Sequence, residues 1–116
     1  MIYGIGIDLV EIDRITTTVA RQPRFPQRIL SEQEFLRYQN YKTVQRQMEF
    51  LAGRFAVKEA FSKAMGTGIG QEVTFQQIHC DNNALGQPTI CWEGFKVHVS
   101  ITHTEHYAVA QVILEQ

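Results

Sequence analysis

The chain begins on a period of two. Ile5, Ile7 and Leu9 fall on one side of residues 1–9, and Gly4, Gly6 and Asp8 on the other, which predicts a strand. The glycines leave the side carrying Asp8 without bulk, so that face is expected to be open. Asp8 then either caps the following helix or stands beside that space, where a carboxylate could hold an ion. From residue 11 the period lengthens. Ile12, Ile15 and Val19 face one way in a helix over 11–21, with Arg14 and Arg21 two turns apart on one side of it. Pro23 and Pro26 bracket a bend that holds Arg24 and Phe25, and Arg28 follows. Ser31 with Glu34 has the form of a capping box and starts a helix to about Asn40. A longer helix starts near Thr43 and runs to Met65. Its apolar residues Leu51, Phe55, Ala60, Phe61, Ala64 and Met65 follow the 3.6-residue period of an amphipathic helix. Glu59 and Lys63 share one face of it, a spacing that by itself describes a solvated ion pair. Gly53 inside this helix costs about 1 kcal/mol relative to alanine, so close packing against another element is expected there.

Gly66-Thr67-Gly68-Ile69-Gly70 follows the helix. Gly66 suits the left-handed position just past a helix end. In a Walker loop or a dinucleotide fingerprint the glycines precede the helix, so this is a flexible turn or a loop that lets a ligand approach the backbone. Val73–Cys80 and Thr89–Trp92 read as a strand and its return, joined by turn signals at Asp81-Asn82-Asn83 and Gly86-Gln87-Pro88. Val97, Val99 and Ile101 alternate with His98, Ser100 and Thr102, and Tyr107–Leu114 forms a last strand. These two make a hairpin with His103 and Glu105 at its tip. The fold class is α+β, a single domain over 1–116, with helices in the first half packed on a mainly antiparallel sheet.

Composition narrows the class. Hydrophobic residues are 44% and charged residues 20%, a globular balance, and the net charge of −1 calls for no polyanionic partner. The charge is unevenly placed: residues 14–63 hold ten Lys/Arg against four Asp/Glu, and the rest hold one against eight. A basic face for an acidic partner or for phosphates follows. RNA is disfavoured, because aromatic-rich strand signatures and strong overall basicity are missing. No signal peptide or membrane-length apolar run is visible, so the expectation is a soluble cytoplasmic protein with no membrane partner. Cys80 and Cys91 flank the first hairpin without a CxxC and read as free thiols in a reducing compartment, with a cross-strand bridge as the alternative. The core is modest for this length, and oligomer formation would bury more.

The chemistry-bearing residues are Asp8, Glu59 and Lys63. Two hard carboxylate oxygens from different elements suit Mg2+, and a lysine one turn from a carboxylate could neutralise a phosphate oxygen. Spacing alone does not bring the three together. A small Mg2+-dependent nucleotide hydrolase, or a non-catalytic module gripping an acidic protein or RNA, would fit the same residues.

Three segments in order resemble the holo-acyl-carrier-protein synthases, the short class of 4′-phosphopantetheinyl transferases. They are Gly4-Ile5-Gly6-Ile7-Asp8-Leu9-Val10-Glu11-Ile12, then Phe55-Ala56-Val57-Lys58-Glu59-Ala60-Phe61-Ser62-Lys63-Ala64 with the Gly66–Gly70 loop, and Val99-Ser100-Ile101-Thr102-His103. The resemblance covers essentially the whole chain. It implies transfer of phosphopantetheine from coenzyme A to a serine of an acyl carrier protein in fatty acid biosynthesis, with adenosine 3′,5′-bisphosphate as the other product. It implies Asp8 and Glu59 as Mg2+ ligands, Lys63 as a phosphate contact and His103 as a positioning residue in the coenzyme pocket. It further implies that Gly66, Thr67, Gly68 and Gly70 border the nucleotide. The docking surface for the acidic carrier helix would be Arg14, Arg21, Arg24, Phe25 and Arg28, with Phe55 adding apolar contact. The family's short members are homotrimers with sites between subunits. Some members carry Asp directly after the histidine matching His103. Here Thr104 stands there and cannot act as a base, which leaves Glu59, directly or through a water, as the candidate.

Overall fold

The structure is a computed structural model that describes residues 1–116. Strand β1 (Ile2–Glu11) runs directly into α1 (Ile12–Arg21), followed by α2 (Phe25–Ile29), α3 (Glu32–Asn40) and the long α4 (Val44–Met65). Four strands complete the chain: β2 (Cys80–Asn82), β3 (Pro88–Ile90), β4 (Lys96–His103) and β5 (Tyr107–Glu115). The main sheet is antiparallel with order β1-β5-β4, and β2 and β3 form a separate hairpin. The α+β class holds.

Helix α4 is the centre of the molecule. It lies on the sheet over β1 and β5, and burial runs almost all the way round it. Leu51, Ala52, Ala56, Val57, Ala60 and Phe61 are fully buried, and so are the polar Lys58 and Ser62. The amphipathic reading is therefore too simple. Helices and loops cover the face that a single stripe would leave wet. Beyond its exposed first turn and its end at Met65, what remains open is a narrow ribbon of Phe55, Glu59 and Lys63, spaced four apart, which puts them on one line along the helix. Gly66 ends the helix with φ of 84°, and its amide donates back to the Ser62 and Lys63 carbonyls.

The glycines of β1 do the reverse of what the sequence suggests. They do not leave an open face; the backbone of α4 occupies it. A Cβ on Gly4 would lie 2.0 Å from the Ala64 carbonyl oxygen, and one on Gly6 1.8 Å from that of Ala60. Strand and helix touch main chain to main chain. The expected result for Gly6→Ala is a loss of about 1–3 kcal/mol of stability or more, the range for overfilling a packed core, read from urea unfolding. Gly53 differs: a Cβ there would meet Ile101 at an ordinary 3.7 Å, so close packing does not demand that glycine.

The opposite side of β1 carries the apolar residues, and it faces outward. Ile5, Ile7 and Leu9 are 57%, 58% and 62% exposed. They pair across β5 with Ile113, Gln111 and Val109, and these in turn pair with His98, Ser100 and Thr102 of β4.

Three expected elements differ. Val73–Cys80 is a run of turns rather than a strand, and pairing starts only at Cys80. Val73 and Ile78 are buried beneath that run, so its apolar content reflects packing and not a ladder. The return strand is Pro88–Ile90, with Trp92 in an isolated bridge to Phe95. The bend at Pro23 and Pro26 contains α2, with Pro26 in its first turn, where a missing amide costs nothing. The Ser31–Glu34 capping box is present, and both cysteines are free.

Candidate active site

The site lies where β1 crosses α4. Asp8 reaches the cleft from β1, and Glu59 from the open ribbon of α4. Leu9, Val10, Glu11, Arg14, Ile15, Thr18, Phe25 and Phe55 complete the lining of a cavity of about 380 Å³. Asp8 does not cap α1: the N-cap position is Glu11, without a side-chain cap bond. Nor do Glu59 and Lys63 pair along the helix. The Lys63 ammonium crosses to β1 and donates to Asp8 Oδ1 at 3.0 Å and to the Ile7 carbonyl at 3.0 Å.

Burial raises the Glu59 carboxyl above its usual range, and the nearby negative charge of Asp8 raises it further, while Lys63 opposes both. The arrangement gathers the Asp8 and Glu59 carboxylates in a partly apolar cleft, with the Lys63 ammonium on Asp8 beside it. Asp8 and Glu59 offer hard oxygen donors from two elements, a set suited to Mg2+ that also holds phosphates. Lys63 places one positive charge against Asp8.

The cleft's other wall is aromatic. Phe25 and Phe55 have ring centroids 5.9 Å apart, and Phe55 stacks on Phe75 at 5.5 Å. Phe25 is therefore half-buried in an aromatic row and is not the exposed anchor that its setting among arginines suggests. Arg14 lines the cleft itself. Arg21, Arg24 and Arg28 are exposed along the adjoining surface, with Arg28 donating to Gln22 Oε1 at 3.2 Å.

His103 is not in this cleft. It ends β4 and pairs with Ala108 of β5, whose other partner is Val10 of β1. Two strand spacings, about 10 Å, separate it from β1. The Glu49 carboxyl is held below its usual range chiefly by the hydrogen bond from Arg46, with a smaller contribution from His103, and Glu49 lies about 15 Å along α4 from Glu59 at 1.5 Å per residue. The Gly66, Thr67, Gly68 and Gly70 backbone borders a separate shallow depression beyond the end of α4.

Sequence reasoning missed the support behind Glu59. The adjacent Lys58 is fully buried. Its ammonium donates to the Ile29 carbonyl at 2.8 Å, to the Phe75 carbonyl at 3.0 Å and to Glu34 Oε1. Glu34 also accepts from the Ser31 amide at 2.7 Å and the Cys80 amide at 2.9 Å, and Arg54 Nε lies 3.9 Å from its Oε2. One buried charge cluster thus ties α2, α3, the 69–80 segment and α4 together. Burial pulls the Lys58 pKa below its usual value, and Glu34 pushes it back up. The signal was present: Lys58 lies midway between Phe55 and Phe61, where a long helix packed on several sides turns inward. Glu11 is a further lining residue of the cleft, to which its place in the first motif gives no role.

The chain is similar to known proteins along nearly its whole length. A family model described as the 4′-phosphopantetheinyl transferase superfamily matches residues 4–113. The holo-[acyl-carrier-protein] synthase of Staphylococcus carnosus (strain TM300) is 63% identical over 116 residues, covering 100% of this chain and 99% of that protein. That of Staphylococcus aureus (strain JH9) is 58% identical, covering 100% and 98%. The crystal structure of a holo-(acyl-carrier-protein) synthase from Bacillus anthracis in complex with CoA (3′,5′-ADP) superposes with a TM-score of 0.91 at 47% identity, covering 98% of this chain and 96% of that one. The enzyme of the same name from Neisseria meningitidis gives a TM-score of 0.91 at 35% identity, with 100% of both chains covered. From residues 4 to 113, then, motif, fold and likeness coincide, and the chain belongs to the 4′-phosphopantetheinyl transferase superfamily.

Proposed function

We propose that the protein transfers 4′-phosphopantetheine from coenzyme A to a serine of apo-acyl carrier protein, releasing adenosine 3′,5′-bisphosphate. The observation that carries this is the convergence of Asp8, Glu59 and Lys63 at one crossing of β1 and α4, in a chain 63% identical to a holo-[acyl-carrier-protein] synthase. The serine oxygen forms a bond to the phosphorus next to pantetheine, and the bond from that phosphorus to the bridging oxygen breaks. The serine proton goes to Glu59, directly or through a water. Asp8 and Glu59 fit Mg2+ as ligands; when bound, that ion offsets charge on the pyrophosphate oxygens. Lys63 adds a positive charge at the phosphates. Incubation with apo-carrier protein, coenzyme A and Mg2+, followed by mass spectrometry of the carrier, tests the reading. A phosphopantetheine gain on one serine supports it, and an unmodified carrier refutes it.

Arg14, Arg21, Arg24 and Arg28 serve as the docking face for an acidic carrier helix, with Phe25 and Phe55 at its apolar edge. The position of Arg14 in the wall of the cleft supports this, since a docked serine must reach Glu59. Arg14→Glu is expected to raise the KM for carrier protein roughly tenfold or more, the size of losing a charged interface contact, while leaving the KM for coenzyme A unchanged. Equal KM values for carrier protein in both proteins would remove the assignment.

The working form is a homotrimer in the cytoplasm, acting in fatty acid biosynthesis. Its support is the outward apolar face of β1, since contiguous exposed apolar surface marks an interface. In such an assembly His103 and the Gly66–Gly70 loop complete the coenzyme pocket from neighbouring subunits, which accords with the distance of His103 from Asp8 within one chain. Ile5→Lys is expected to yield single chains in sedimentation and to lower transfer sharply. An unchanged sedimentation coefficient would exclude this face as the interface.

A further inference from the structure

We propose that Lys63 is a built-in placeholder for the divalent cation, holding Asp8 until metal and pyrophosphate arrive together and then passing to the phosphate. The inference rests on the reading of Asp8 and Glu59 as metal ligands given above.

Lys63 has a closer carboxylate neighbour in sequence, Glu59, yet bonds to Asp8 Oδ1 and the Ile7 carbonyl of β1. Burial does not force that choice, because the Lys63 side chain is 51% exposed. The geometry of β1 explains it. This is an edge strand of the sheet, so half of its carbonyls have no strand partner, and the Ile7 carbonyl faces the ammonium. One carbonyl and one carboxylate oxygen, each at 3.0 Å, make a partial oxygen shell for a single positive charge. Asp8, whose side chain is only 15% exposed, is thereby neutralised. A divalent ion that takes Oδ1 of Asp8 must displace this ammonium.

Displacement alone is unfavourable, since Lys63 then loses both partners. Displacement in the presence of a pyrophosphate is favourable, since the half-exposed ammonium gains phosphate oxygens in exchange. Metal and coenzyme A therefore strengthen each other's binding, and by linkage the coupling is the same in both directions. One residue holds two successive positions, first as the partner of Asp8 and then as the phosphate contact.

The test is Mn2+ titration followed by the EPR signal of the free ion, with the whole chain alone and with saturating coenzyme A. Lys63→Gln is expected to bind Mn2+ alone at least about tenfold more tightly than the wild type, because a unit charge a few ångströms away has been removed. Coenzyme A is expected to tighten Mn2+ binding by a larger factor in the wild type than in Lys63→Gln. Equal or weaker Mn2+ binding by Lys63→Gln overturns the proposal, as does an equal effect of coenzyme A on the two proteins. A matching structure with coenzyme A and Mg2+ gives a direct check: Lys63 still on Asp8 overturns it. Asp8→Asn separates the two levels. If that variant binds Mn2+ as the wild type does, the metal reading of Asp8 fails, and the placeholder fails with it.

Discussion

Glu59→Gln is expected to be a well-folded protein that transfers phosphopantetheine about 10³-fold more slowly or worse, since loss of a positioned base alone costs about 10²–10⁴ and a metal ligand is lost with it. The same variant is expected to be more stable than the wild type at neutral pH. In the folded protein the Glu59 carboxyl is raised, first by burial and then by Asp8. The folded state thus holds that proton more tightly than the unfolded one. Above the folded pKa the ionised carboxylate subtracts stability, and glutamine removes that penalty. As pH falls through the unfolded value of about 4.3 the penalty disappears, so the two melting temperatures should converge in acid. A less active but more stable protein is the mark of a site under strain for function. Wild-type turnover would remove Glu59 from both roles. A lower melting temperature at pH 7 would show that the carboxylate is a net structural contact.

Lys58→Met is expected to cost about 3–5 kcal/mol, the range for breaking a buried ion pair by removing one partner. Methionine fills the volume but leaves the Glu34 carboxylate without its main counter-charge and takes the ammonium donor from the Ile29 and Phe75 carbonyls, the latter keeping the Ile78 amide at 3.3 Å. For a domain with about 5–15 kcal/mol in total, that is a large share, and urea unfolding will read it. Adding Glu34→Gln removes the uncompensated charge but keeps a carbonyl acceptor for only one of the Ser31 and Cys80 amides, which bond to different oxygens of Glu34. The double variant should recover part of the loss. A single-variant loss below about 1 kcal/mol would mean that water reaches the cluster.

The sequence made the order of elements legible where period and punctuation agreed. Ser31 with Glu34 marked a helix start, Gly66 a helix end, and alternation marked β4 and β5. It could not show what lies against each face. Gly4 and Gly6 signal a lack of bulk, but an open face and a face filled by another backbone leave the same trace in one strand. The apolar set Ile5, Ile7 and Leu9 likewise reads the same whether a core or a second subunit covers it. Within the site, the line of Phe55, Glu59 and Lys63 followed from helical spacing alone. The pairing of Lys63 with Asp8 did not, because it depends on the approach of an edge strand 55 residues away in the chain. His103 was placed by resemblance, and its separation from Asp8 within the chain is a matter of sheet order that no local pattern carries.

The main-chain contact between β1 and α4 has a consequence for how this protein can change. The interval between the two carboxylate-bearing elements is set by carbonyl oxygens of Ala60 and Ala64 against glycines, with no side chain acting as a spacer. Side-chain turnover elsewhere in the core, at Val112, Leu114 or Phe61, can therefore drift without altering the reach from Asp8 to Glu59. The same contact leaves no intermediate sizes to sample. Residues 4 and 6 accept nothing larger than hydrogen without moving strand and helix apart, so chemistry and fold are altered there in a single step or not at all.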